Sequence, residues 1–319
     1  MSDNPKAQWR AILSQPVEIE RFQPLSSAVA LEVGAASTCG KRCSHNTDHY
    51  LAIRLGRVQE TVITSLPDAD LPPRFEEVAY AMLVADGVGE EGSGAQASRV
   101  ALSTLAHLAI QYGKWNVRVD PDTSHEIRQQ GEFFYRRANH AVLHASGADL
   151  GLTGMATSLT ALYIAQNDLF FAHVGHSSAF LLRSGVLIQL TTDRTPKQRQ
   201  LGNGDGSWSL QGTTRELGRL VVQTIGARPM APRVDIERIK LSSGDRLLLC
   251  TNGLTDAVSG EQMADALAPR RHPQQDCLRL IDLALAAGAT DDVTVVIGDY
   301  TLRGDATHPT PVEDVVTIS

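Results

Sequence analysis

The sequence predicts an α+β fold, in which antiparallel sheets are covered by helices. Three observations lead there. Apolar segments of strand length come in groups rather than singly between helices, and a parallel sheet would need strict alternation of the two. Two helical patterns stand together between the first and second groups of strands. The chain has 319 residues, 42% hydrophobic and 20% charged, enough for a substantial core in one large domain or two ordinary ones. No internal repeat divides it.

Residues 1–24 are mixed and polar and read as an N-terminal arm ahead of a domain spanning 25–302. Ala28–Gly34 and Tyr50–Arg54 read as strands. A polar, proline-rich excursion, Leu66 to Arg74, reads as a surface loop. Ala79–Ala85 is a strand that runs into Asp86. Beyond Gly94 the period becomes helical: Ala97, Val100, Ala101, Leu105, Leu108 and Ala109 share one face. Ser124–His144 is a second amphipathic helix. Thr157–Leu190 is strand-rich, with tight turns at Gln166-Asn167-Asp168 and Arg183-Ser184-Gly185. Thr191–Gly218 is polar and glycine-rich and reads as a flap. Val221–Ile225 and Val234–Leu241 read as short elements. Arg246–Thr251 is a continuous apolar run and hence a buried strand. Glu261–Leu267 and Gln274–Ala287 are helical, Val293–Tyr300 is the last strand, and 303–319 reads as a loose acidic tail.

Composition narrows the function. The formal net charge is −7 and no long basic run occurs, which argues against nucleic acid as a partner. No apolar stretch approaches the roughly 18 residues that span a bilayer, and Met1–Pro16 carries no apolar block of signal-peptide length. A cytoplasmic protein is expected, with no membrane contact. Four cysteines (Cys39, Cys43, Cys250, Cys277) in so long a chain do not suggest a disulfide framework.

Three acidic segments then stand out, each joined to an apolar strand: Ala85-Asp86-Gly87-Val88-Gly89, Thr251-Asn252-Gly253-Leu254-Thr255-Asp256 and Asp291-Asp292-Val293-Thr294. Carboxylates at neighbouring strand ends can converge, and converging oxygen donors suit hard cations such as Mg²⁺ and Mn²⁺. Gly87 would let a backbone carbonyl approach an ion closely. Asn46-Thr47-Asp48 supplies a further carboxylate just before a strand. Cys39, Cys43, His45 and His49 give C-x3-C-x-H-x3-H, but zinc fingers need a longer central loop, and a polar turn is the simpler reading.

These segments, with Met155-Ala156-Thr157-Ser158 and Val174-Gly175-His176-Ser177-Ser178 between them, resemble in order and spacing the motifs of the metal-dependent protein phosphatase family, type 2C. The likeness covers roughly residues 28–300. It implies an αββα sandwich of two antiparallel sheets flanked by helices, with two Mn²⁺ or Mg²⁺ ions at one edge. In that picture Asp86 bridges both ions, the Gly87 carbonyl binds one, Asp291 binds the other, and Asp48 holds metal-bound water. A metal-bridging hydroxide would hydrolyse phosphoserine or phosphothreonine in proteins.

The family's pattern is not fully kept. Asn252 and His176 stand where it has aspartates. The resemblance implies that the first position binds one core metal and also helps a third, weaker one, and that the second serves that third metal. Asn252 is therefore expected to be a weakened ligand, and the third site altered or absent. His176 suits Mn²⁺ better than Mg²⁺. Cys43 stands where the family has its phosphate-gripping arginine. Arg42, one residue earlier, can fill that role only if the backbone is not a regular strand, because a one-residue slip along a strand reverses a side chain. The expected partners are phosphorylated proteins, with a cognate kinase or regulatory protein outside this chain. The alternatives are a pseudophosphatase serving as a binding module, and a hydrolase of small phosphate esters.

Overall fold

A computed structural model describes residues 29–67, 74–89, 92–112, 121–191 and 224–302. The predicted N-terminal arm, the prolines at 72 and 73, most of the predicted flap and the acidic tail lie outside the described residues.

Two five-stranded antiparallel sheets form the centre. The first has the order β1 (Val29–Thr38), β12 (Val293–Leu302), β11 (Arg246–Cys250), β8 (Ser178–Arg183), β9 (Val186–Gln189). The second has the order β10 (Asp235–Lys240), β7 (Asp168–Val174), β6 (Leu159–Ala165), β3 (Arg74–Ala85), β2 (His49–Glu60). A short ribbon joins β4 (Gly87–Val88) to β5 (Ala156–Thr157). Helices α1 (Ser93–Tyr112) and α2 (Pro121–Ala148) pack on the second sheet, and α4 (Gly260–Leu267) and α5 (Pro273–Ala286) on the first. A single turn, α3 (Asn252–Thr255), follows β11.

The layers follow from the pleat. Along β3, Met82 and Val84 face the other sheet, while Leu83 and Ala85 face α1 and α2. Along β11, Leu247 and Leu249 point into the intersheet core, and Leu248 and Cys250 point at α4 and α5. This explains the unbroken apolar run Leu247–Cys250. The strand is antiparallel, yet both faces are covered, so neither is selected for polarity.

Several strands outrun their predicted bounds. β2 and β3 pair over twelve residues, from His49↔Ala85 to Glu60↔Arg74. Past Arg54 the β2 strand is largely exposed, so it has no apolar pattern by which to be read, while its β3 partners Glu77, Val78 and Ala79 are buried. The predicted turns are present. Gln166 adopts φ 57°, and the β8–β9 turn places Ser184 at φ 52° and Gly185 at φ 80°, as a tight hairpin requires. Of the Val221–Ile225 element, Ile225 forms a bridge to Thr157.

A buried ion cluster ties α5 to the first sheet. Arg246, fully buried, donates to both oxygens of Asp299 at 2.7 Å and also to Asp276, itself fully buried at the start of α5.

Candidate active site

The sheet register brings the acidic segments together. β2 begins one residue after Asp48, β3 ends one residue before Asp86, and His49 pairs with Ala85, so these two carboxylates leave the same end of the second sheet. In the first sheet, β11 ends two residues before Asn252 and β12 begins just after Asp291-Asp292, with Cys250 opposite Val295. Cys250 also pairs with Ser178, and the link from β7 to β8 carries His176 across from one sheet to the other. The six sequence motifs therefore end at one edge of the sandwich.

A cleft of about 640 Å³ opens there, and Asp86, Gly87, His176, Asn252, Asp291 and Arg42 all line it. Asp48 lies behind this wall, buried. Its Oδ2 accepts hydrogen bonds from the Thr251 and Thr294 hydroxyls, both at 2.8 Å. Its Oδ1 is buried and has no hydrogen-bond partner among the described residues. Burial pushes the Asp48 carboxyl up to about 7; the two threonine hydrogen bonds oppose that, and the charges of Asp292 and Asp291 add to it.

Asp86 is fixed through its backbone. Its carbonyl accepts from Ser158 N and Thr157 Oγ1, both at 2.9 Å, and its N–H donates to Ser158 Oγ at 3.2 Å. Glycines set the approach of the next elements. A Cβ on Gly87 would fall 2.1 Å from the Gly94 carbonyl oxygen, so the Asp86-Gly87 backbone lies directly on the start of α1. A Cβ on Gly253 would fall 2.0 Å from the Asp292 carbonyl oxygen, which places the Asn252 turn against the Asp291-Asp292 segment.

Residues 39–48 form turns and loop, not strand, and the Cys43 N–H closes a turn onto the Gly40 carbonyl at 3.2 Å. The strand-slip objection to Arg42 therefore loses its basis: Arg42 and Cys43 both line the cleft. Arg42 is exposed, and it is the one arginine or lysine among the described residues lining the cleft. Cys43 Sγ lies 3.9 Å from Asp291 Oδ1. Burial, with the Asp292 and Asp291 carboxylates, pushes its thiol up to about 12. The C-x3-C-x-H-x3-H stretch is the polar turn expected of it.

Asp292 was not singled out by sequence reasoning. It is 3% exposed, lines the cleft, and accepts at Oδ2 from Thr47 N (2.8 Å) and Thr47 Oγ1 (3.0 Å). The doubled aspartate was its signal; only the first member was taken as functional. Thr251 and Thr294, the anchors of Asp48, lie inside two of the acidic segments, where sequence reasoning assigned them no role.

The donor set is oxygen-rich and acidic, which fits a hard cation. Two buried carboxylate oxygens on this edge, Asp48 Oδ1 and Asp292 Oδ1, have no hydrogen-bond partner among the described residues, a costly state that a cation or its water would relieve. Yet among the described residues no three His, Cys, Asp or Glu side chains converge tightly enough to enclose an ion by themselves. Such spacing is compatible with Mg²⁺-like ions, which keep several waters and use only one or two carboxylates directly.

A sandwich of this topology, two antiparallel sheets flanked by helices, is the fold of the PPM-type phosphatases. The chain belongs to the family described as Stage II sporulation protein E (SpoIIE), whose model matches residues 76–300. It is 31% identical over 230 residues to the serine/threonine protein phosphatase PstP of Mycobacterium tuberculosis, covering 70% of this chain but 42% of that protein. The chain thus spans less than half the length of that relative. It is 28% identical over 225 residues to the serine/threonine phosphatase stp of Listeria monocytogenes, covering 70% of this chain and 86% of stp. Among solved structures it resembles the catalytic domain of PstP in complex with two manganese ions, at TM-score 0.64 and 28% identity, over 86% of this chain and 99% of that one.

Proposed function

We propose that this chain hydrolyses phosphoserine and phosphothreonine in proteins, using divalent cations and preferring Mn²⁺ to Mg²⁺. One observation carries the reading: a single cleft gathers Asp86, Gly87, Asn252, Asp291, His176 and Arg42, with Asp48 buried behind them. The names of the relatives, serine/threonine phosphatases, and the two manganese ions in the PstP catalytic domain support it.

In this reading Asp86, the Gly87 carbonyl and Asp291 would hold two core ions. Asn252 contributes a neutral carbonyl, and His176 marks a third position that is altered or absent. Bound cations would lower the pKa of a water nucleophile and offset phosphoryl charge. Asp48, locked by Thr251 and Thr294 at one oxygen, presents its other oxygen to orient that water. Arg42 grips the phosphate of the substrate. No covalent phosphoenzyme is needed: water would attack phosphorus, the bond to the serine or threonine oxygen would break, and that oxygen would leave as the hydroxyl after taking a proton. The partners are phosphorylated proteins, and a cognate kinase or regulator would act from another chain.

A second reading, a pseudophosphatase, is favoured by Asn252 and by the lack of three converging ionisable ligands among the described residues. A third is a hydrolase of small phosphate esters. Assays with p-nitrophenyl phosphate and a phosphothreonine peptide, in Mn²⁺ and then Mg²⁺, separate them. Peptide turnover supports the first. Turnover of the small ester alone supports the third. No turnover with either metal supports the second.

A further inference from the structure

We propose that Asp292 is a further acidic residue of the cation site, supplying the negative charge that Asn252 does not; this rests on the metal-dependent reading above. The two positions are neighbours. Gly253, next to Asn252, is packed so closely that a Cβ there would meet the Asp292 carbonyl oxygen at 2.0 Å. Asn252 is neutral and Asp292 is a carboxylate, and the two stand on segments in contact.

The side chain is built for such a role. Asp292 is 3% exposed, yet it lines the acidic cleft. Thr47 holds its Oδ2 through both the backbone N–H and the hydroxyl, which fixes the carboxylate plane. Oδ1 is left buried and without a hydrogen-bond partner among the described residues. An acceptor desolvated in this way is costly unless something fills the space before it. The neighbouring charge makes the cost greater: Asp291 stands next to it in sequence, and Arg42 is the one arginine or lysine among the described residues lining the cleft. A cation with its water shell meets both demands, because the ion offsets the charge and the water donates to Oδ1. Asp292 therefore acts on the hydration shell as an outer carboxylate, and this does not require the close three-ligand cluster that is lacking among the described residues.

The test is Mn²⁺ titration by calorimetry of metal-free protein, with circular dichroism to confirm the fold. Four proteins are compared with wild type: Asp86→Asn, Asp292→Asn, Asn252→Asp and the double variant Asn252→Asp/Asp292→Asn. Asp292→Asn should weaken Mn²⁺ about tenfold or more, the usual effect of removing an outer-shell partner. The double variant should recover the lost affinity, since the charge has been moved across the contact. If Asp292→Asn does not hold its fold, the double variant stands in, and its matching wild type in Mn²⁺ affinity is the expected result. Wild-type affinity in Asp292→Asn, with binding lost in Asp86→Asn, overturns this inference and leaves the metal-dependent reading standing. A double variant weaker than wild type overturns the charge exchange. No Mn²⁺ binding by wild type overturns both readings.

Discussion

Asp48 has one oxygen held by two threonine hydroxyls, while the other is buried without a hydrogen-bond partner among the described residues. The hydroxyls favour the charged form, but burial outweighs them, so the carboxyl is pushed up to about 7 in the metal-free protein from an ordinary value of 3.8. The sign for stability follows by linkage. Between those two values the folded state retains a proton that the unfolded state has released, so this residue lowers stability as pH rises through the interval. Urea melts of chelated protein should therefore show Asp48→Asn gaining on wild type as pH rises from 4 to 8; a gap that stays constant with pH would contradict the burial argument. Cation binding should release protons near neutral pH for the same reason. At Asp86 the expectation is simpler: Asp86→Ala should abolish phosphatase activity, and an active variant would refute its assignment as a metal ligand.

At the scale of elements, close backbone packing and one buried ion cluster set the geometry. A Cβ on Gly94 would lie 2.7 Å from the carbonyl carbon and oxygen of Gly87. Gly94→Ala should thus push α1 off the Asp86 turn and weaken Mn²⁺ binding; calorimetry showing wild-type affinity would mean that the turn does not depend on this contact. On the other sheet, Asp276→Ala removes one partner of buried Arg246, and breaking a buried pair in this way should cost roughly 3 kcal/mol in denaturant unfolding. Much of this scale was legible in the sequence. The helices and buried strands announced themselves by period and by apolar runs. The outer half of β2 did not, because it is exposed and carries no face to read. The 39–48 loop was also hidden. A polar segment states that it leaves the core but not where its side chains point, so the placing of Arg42 and Cys43 on the cleft needed the structure.

For the molecule as a whole, the cleft exists because the acidic motifs of both sheets leave the same edge. Motif order in the sequence carried that information, since each acidic segment abuts a strand and the strands pair in register. What the order could not show was the balance of charge. Asp292 escaped notice because a doubled aspartate beside a strand looks like one functional residue and one turn residue, and only its burial separates the two. Asn252→Asp should raise the affinity for Mg²⁺, a cation that favours charged oxygen ligands; unchanged affinity would show that position 252 does not contact the ion. The central claim, metal-dependent hydrolysis at this edge, is tested most directly by phosphate release from a phosphothreonine peptide with Mn²⁺, with and without chelator. Release should depend on Mn²⁺ and stop on chelation. Release that survives chelation, or none with Mn²⁺ present, would contradict it.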